Sequence, residues 1–387
     1  MDTSPASIPY ALFRGGTSKG VFMPRDHLPA DRGALVSVLL DIFGSPDPRQ
    51  IDGLGGADKL TSKAGIMGPP TVAGADIDYL FAQVGIHHAE VDFNLNCGNL
   101  TAAAAAYAVH EGYARARGDH AMVRIHNVNT QRIIVARVPL RGGTVLEEGT
   151  FSIGGVPGTG AAIDLDFHRA TGAMTGALLP LGQATSRIEV PGHGPLNVSV
   201  VDGPNLIVLV CAEDLGMTGV EAPHDIDGNA QLTGVMQRVR EAVAVRTGLA
   251  GYWYGRAAPS TPMLVAVQAP RAYRAYTTGE QIAADDVDLI CRQYSTAATS
   301  KALAATVSAA VGMACRIPGT LAARHVRPDR DGPIRLGHPS GTISVDAAVR
   351  QDGAAVHITA ATIQRTARLL ARGELYLKHR HLRSLHG

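Results

Sequence analysis

Short apolar runs broken by glycine-rich turns recur along most of the chain. Ile77–Val84, Ala121–Ile125, Arg132–Val138, Ser186–Val190, Leu196–Val201 and Asn205–Val210 are the clearest. Each has the length of a strand, and apolar and polar positions alternate only imperfectly within them. Strands covered on both faces, or wrapped around a helix, carry this pattern. Two other segments have helix length and almost no polar face. One follows Asn96-Cys97-Gly98-Asn99 and continues through Leu100, Thr101 and an alanine tract to about Gly112. The second runs from about Thr299 to Cys315, with Lys301, Ala304, Ala305, Val307, Ala310 and Val311 on it. Helices that are small and apolar all round leave no face for water and belong inside a core. A third helix is expected over Asn229–Thr247, where Leu232, Val235, Met236, Val239, Ala242 and Val243 recur at helical spacing.

This order of elements predicts an α+β protein of two similar halves, each a set of strands around one buried helix. The Gly/Ala/Thr-rich stretch 170–186 marks the join. The expected domains are 1–184 and 185–387, with the C-terminal end free to return to the first. A chain of 387 residues with 45% hydrophobic content suits two well-filled cores. Formal net charge is +1, so no overall field attracts nucleic acid or a membrane surface. No stretch reaches the length of a membrane span. The four cysteines (Cys97, Cys211, Cys291 and Cys315) are scattered and form no C-x-x-C pair. That spacing argues against zinc fingers and redox dithiols. Together with an N-terminus, MDTSPASIPYALF, that lacks a secretory pattern, it points to a cytoplasmic location. His87-His88 and the tail His379, His381 and His386 make no credible metal set, and the tail reads as a solvated basic end.

Three local motifs carry candidate chemistry in the first half. Arg14-Gly15-Gly16-Thr17-Ser18-Lys19-Gly20 follows a first strand. Its order is wrong for a phosphate loop, in which lysine opens a helix. It reads instead as an anion-binding turn: Gly15 and Gly16 let backbone N–H groups approach a carboxylate, and Arg14 or Lys19 adds charge. The alternative is a plain glycine turn between strands. Asp52-Gly53-Leu54-Gly55-Gly56 leads through Lys59, which is expected in solvent, to Ser62-Lys63. Lys63 precedes the apolar Ala64-Gly65-Ile66-Met67, and desolvation favours the neutral, basic form of a lysine. The competing reading is a surface lysine at a strand start. Asn96-Cys97-Gly98-Asn99 is the sharpest signal. Cys97 sits at the N-terminus of a buried helix, where unpaired N–H groups attract a carboxylate or a thiolate. Asn96 or Asn99 can cap the helix and orient a ligand. Most cysteines simply fill space, and the other three read that way.

In the second half, Arg316-Ile317-Pro318-Gly319-Thr320 follows Cys315, and Gly337-His338-Pro339-Ser340-Gly341-Thr342 is a turn offering hydroxyls and backbone donors.

Together these motifs resemble the PrpF family of isomerases: RGGTSKG at 14–20, DGLGGADKLTSK at 52–63, NCGNLTAAAA at 96–105, IPGT at 317–320 and GHPSGT at 337–342. They fall in order across nearly the whole chain. The resemblance implies a diaminopimelate-epimerase-like fold, with two pseudo-symmetric domains, each a β-barrel-like sheet around a central helix, and the site between them. It implies Lys63 and Cys97 as the acid/base pair. It also implies a cofactor-independent isomerase that moves a double bond, by a 1,3-allylic proton shift or cis-trans isomerisation, in an unsaturated di- or tricarboxylate. The expected substrate contacts are Arg14, Gly15, Gly16, Thr17, Ser18, Lys19, Gly55, Gly56, Ser62, Asn96, Gly98, Asn99, Lys301, Arg316, Thr320, His338, Ser340, Gly341 and Thr342. Arg335 is a further cation for a distal carboxylate. No metal, nucleic acid or membrane partner is expected, and a homodimer is the assembly considered.

The LTSK ending of the Lys63 loop leans toward a 4-oxalomesaconate-type substrate; 2-methylaconitate, methylitaconate and aconitate are the alternatives. One departure stands out: Leu303 occupies a position where many relatives carry histidine. An amino-acid racemase of the same fold would use one cysteine from each domain, and Cys315 lies at the wrong end of its helix for that. A non-catalytic accessory protein to a dehydratase is the rival from another class.

Overall fold

A computed structural model describes residues 7–94, 96–328, 332–353 and 355–378. The basic tail beyond Lys378, including His379, His381 and His386, lies outside the described residues. The chain divides into two compact units. Unit 1 contains residues 1–151, 159–165 and 365–387; unit 2 contains 152–158 and 166–364.

Unit 1 begins with an antiparallel hairpin of strands Ser7–Gly15 and Ser18–Pro24. The second of these runs parallel to Lys63–Gly68, which pairs antiparallel with Ile77–Val84. Ile77–Val84 in turn lies parallel to His120–Asn127, and that strand pairs with Arg132–Arg141. The strand Ala367–Tyr376 closes on the other edge, antiparallel to Ser7–Gly15. Helix α1 (Arg32–Phe43) packs on the outer face of the sheet. Leu35, Val38, Leu39, Ile42 and Phe43 form one stripe on it, against Ala64, Ile66, Ala82 and Val84. Asp31 caps its first turn and Gly44 ends it in a left-handed conformation. This helix is not among the elements expected from the sequence. Helix α2 (Gly98–His110) runs against the inner face, and residues 98–108 of it are all buried. Alanine at five consecutive positions lets strands approach it from several sides.

Unit 2 repeats the plan. Strands Ser186–Val190, Gly194–Asp202 and Leu206–Cys211 are antiparallel neighbours. Leu206–Cys211 continues in parallel to Met263–Gln268, then antiparallel to Leu289–Ser295. Ile334–His338, Gly341–Asp352 and Ala355–Arg365 complete the order. Two short helices, α3 (Pro223–Asp227) and α5 (Ala250–Tyr254), flank α4 (Ala230–Arg246). Helix α4 covers one sheet face with Val235, Met236, Val239 and Val243. Helix α6 (Ala305–Arg316) is buried through residue 315 and contacts the sheet, and α7 (Leu321–His325) follows it. The Leu206–Cys211 strand is buried at every position, as a strand with helices on both faces must be.

One expectation needs correction. The second buried helix begins at Ala305, not Thr299. Ala298 and Thr299 instead pair with Ser295 and Tyr294, Ser300 N–H donates to Gln293, and the chain bends at Lys301 and Ala302 before the helix. The two compact units part at 165/166, and the expected domains at 184/185. The stretch taken as a linker folds onto Asp202 of unit 2. Its carboxylate accepts from the backbone N–H groups of Met174 and Thr175 and from the Thr175 hydroxyl. No helix among the described residues is long and apolar enough to cross a membrane.

Candidate active site

Lys63 opens its strand between two others, opposite Gly20 on one side and Gln83 on the other. That position buries it; only 8% of the residue is exposed. Its Nζ lies 3.5 Å from Cys97 Sγ and 5.3 Å from the centre of the Phe81 ring. Cys97 is the N-cap of α2 in extended conformation, and its side chain makes no capping hydrogen bond. The positive end of a buried helix is therefore left for another acceptor.

Asn99, two residues past the cap, ties this helix end to the first hairpin. Its Nδ2 donates to Thr17 Oγ1 at 2.9 Å and to Ser18 Oγ at 3.3 Å. A Cβ on Gly15 would collide with the Asn99 carbonyl oxygen, and one on Gly16 with the Asn99 amide and the Arg365 stem. Gly16 also has φ +50°, so only glycine meets both demands. Asn96 accepts from Asn127 Nδ2 at 3.3 Å.

Two groups at this site escaped the sequence reading. Arg365 is 3% exposed, and its Nε donates to Asn99 Oδ1 at 3.0 Å. Burial lowers its pKa to about 10, and the charge of Cys97 opposes that shift. Ala361, Ile363 and Arg365 share one phase of a strand with a buried face. An arginine in that phase was the available signal. Tyr79 is fully buried, and its hydroxyl has no hydrogen-bond partner among the described residues. Burial first, then the charge of Cys97, pushes the phenol well up, so it stays a donor.

Other expected contacts lie elsewhere. In the hairpin register Arg14 faces Lys19, while Gly15 faces Ser18. The two cations therefore lie on the face opposite the α2 contact. Arg14 is spent on Thr366 Oγ1 and carbonyl oxygens. Gly55 and Gly56 lie against Gln50 and Thr61 of their own loop, and Ser62 donates to Gln50 and to the Asp58 carbonyl. Lys59 is half-buried and not in solvent.

In unit 2, Ser340 Oγ donates to the Lys301 carbonyl just ahead of α6, and Tyr273 donates to the Gly341 carbonyl. His338 is buried and Nδ1 accepts from Ser340 N–H, while Thr342 is exposed. Lys301 is exposed, and Leu303 is buried beside it. Arg316 and Thr320 sit at the opposite, C-terminal end of α6. Arg316 donates to the Ala347 and Gly332 carbonyls, and Thr320 donates to the Ala314 carbonyl and caps α7. Arg335 is held in a two-pronged ion pair by Asp288. Cys315 is buried, and its thiol is pushed well up by that burial.

Lys63, Cys97 and Arg365 are thus gathered at the start of α2. The family model described as PrpF protein matches residues 6–378, and the chain belongs to the PrpF family. It is 41% identical to 3-methylitaconate isomerase of Eubacterium barkeri, over 96% of this chain and 97% of that protein. It is 35% identical to (4E)-oxalomesaconate Delta-isomerase of Novosphingobium sp. (strain KA1), over 97% and 99%. The crystal structure of methylitaconate-delta-isomerase superposes with a TM-score of 0.82 at 40% identity, covering 100% of this chain and 98% of that one. A hydroxyproline epimerase from Agrobacterium vitis, at 11% identity and a TM-score of 0.56 over 96% and 93%, shares the fold alone. The chain is an isomerase with the expected α+β diaminopimelate-epimerase-like fold.

Proposed function

We propose that this isomerase catalyses a 1,3-allylic proton shift in a small unsaturated di- or tricarboxylate, with Lys63 and Cys97 as its acid/base pair. The observation that carries this reading is the 3.5 Å contact of Lys63 Nζ with Cys97 Sγ at the uncapped end of α2. Lys63, in its amine form, takes a proton from the carbon next to the unsaturated carboxylate system. The C–H electron pair becomes part of a dienolate, and the double bond moves by one carbon when the same proton, or one from Cys97, is returned at the far end of the allyl unit. The N–H groups at the start of α2 and the Arg365 guanidinium stabilise the dienolate oxygens, where charge develops. These transfers use side chains alone.

The Lys63 loop points to an oxalomesaconate-type triacid. The higher identity to the methylitaconate enzyme favours a branched dicarboxylate as the second reading. Proton NMR in D2O over a panel of both substrate types, with 2-methylaconitate and aconitate, tests the assignment. Double-bond migration with deuterium uptake is expected for one of them, and no turnover of any would sink it. Lys63→Ala should lower kcat by at least about 100-fold, the usual worth of a positioned base. A racemase would require a second thiol facing the substrate. Cys315 lies at the C-terminal end of α6 and does not supply one from that helix's N-terminus.

A further inference from the structure

We infer that Cys211, Glu213 and His325 form a second, independent site that binds Zn2+. Cys211 ends the Leu206–Cys211 strand, Glu213 follows in a single 3-10 turn, and His325 is the last residue of α7. Cys211 Sγ and His325 Nε2 lie 3.1 Å apart, across 114 residues of sequence. The Glu213 carboxylate joins them, with all three donor atoms within 4.8 Å of one another. Thiolate, imidazole and carboxylate are the donor types zinc takes, at about 2.0–2.3 Å each. Tetrahedral bonds of those lengths put neighbouring donors roughly 3.3–3.6 Å apart, so the cluster needs little movement to close on an ion.

The site is asymmetric in a useful way. Cys211 is buried, His325 half-buried and Glu213 exposed, so an ion can enter from the Glu213 side and keep one position for water. Three Lewis bases converge here. A bound dication would displace the Cys211 thiol proton and offset the Glu213 charge. Sequence spacing could not disclose the site, because its members come from a strand end, a 3-10 turn and a helix end.

Co2+ titration of the full chain, stripped with a chelator, tests the inference. A near-ultraviolet thiolate-to-cobalt band should appear, saturate, and be displaced by Zn2+. Cys211→Ala should abolish the band. His325→Ala and the solvent-facing Glu213→Gln should each weaken binding at least about tenfold, with far-UV circular dichroism unchanged. Glu213→Gln removes no buried group, so it tests the site even if Cys211→Ala folds poorly. Absence of a saturable band overturns the inference. So does a band that survives Cys211→Ala but is lost in Cys97→Ala, which would put the ion at the Lys63 pair. Unchanged affinity in both His325→Ala and Glu213→Gln overturns it as well.

Discussion

Arg365 holds Asn99 through Nε, which commits one edge of its guanidinium and fixes the plane of the rest. Lysine has the charge but not the planar fork, so it cannot keep that hydrogen bond and present a second donor in the same plane. Arg365→Lys should therefore fold and raise KM about tenfold, the cost of one charge-assisted hydrogen bond. Substrate titration in the NMR assay measures this; an unchanged KM would mean that the guanidinium serves only to hold Asn99. The contrast with Lys63 and Cys97 shows what one sequence discloses at this scale. Those two stand beside glycines and asparagines whose local chemistry is legible: a lysine entering an apolar strand, a cysteine opening an alanine helix. Arg365 lies 266 residues from Asn99, and only the fold joins them. The cations that the motifs did suggest, Arg14, Arg316 and Arg335, prove to be engaged by backbone carbonyls, by Thr366 or by Asp288. Residue type was readable there, but the direction of each side chain was set by strand register and helix end.

At the scale of elements, α2 carries a weaker cap than its surroundings allow. Cys97 has the extended conformation of an N-cap, φ −118° and ψ 93°, and its carbonyl accepts from Thr101, yet its side chain accepts nothing from the helix. Serine in that place can accept an N–H bond and stabilises helices by about 1 kcal/mol over a non-capping residue. Cys97→Ser is thus expected to raise the urea midpoint while lowering turnover at least about 100-fold. A variant with full activity would show that the thiol is not needed. A second element-level prediction concerns Asp78, which joins Ile77–Val84 to its surroundings. Its buried carboxylate accepts from Arg25 NH2 at 2.8 Å, from Thr71 N–H and Oγ1, and from His126 Nδ1. Burial alone would raise its pKa, but these hydrogen bonds outweigh it and the net shift is downward. A depressed folded pKa means that the stabilisation is full above the unfolded value, near 4, and is lost as pH falls through the folded value. Stability measured by urea should fall below about pH 4, and Asp78→Asn should flatten that acid limb while lowering stability at neutral pH. Helix existence was legible from small-residue composition for α2 and from apolar residues at helical spacing for α4. The start of α6 was not, because Thr299 is claimed by a strand partner distant from any helix signal. The α1 stripe was present in the sequence at Leu35, Val38, Leu39, Ile42 and Phe43.

For the whole molecule, the C-terminal strand decides whether the first half can stand alone. Ala367–Tyr376 pairs with Ser7–Gly15 along its full length, from Gly15 opposite Ala367 to Ser7 opposite Tyr376. Just ahead of it, Arg365 holds Asn99, and Thr366 accepts from Arg14 and from Gly16 N–H. The order of short strands and buried small-residue helices made the two-half plan readable from the chain, yet no local pattern says which distant strand fills an open edge. A first half ending at residue 184 would leave the hairpin edge unpaired and the α2 face uncovered on that side. Unpaired edges and bare alanine surface favour aggregation over a cooperative fold. Residues 1–165 expressed alone should therefore fail to give a cooperative thermal transition. The same segment joined through a short flexible linker to residues 365–378 should recover one, because the linker restores the missing partner at a modest entropic cost. Near-UV circular dichroism on heating reads both. Cooperative folding of 1–165 without the strand would show that the return of the chain contributes little to unit 1. Recovery only with the strand would make the chain's return, and with it the placement of Arg365 beside Asn99, a condition for assembling the α2 site.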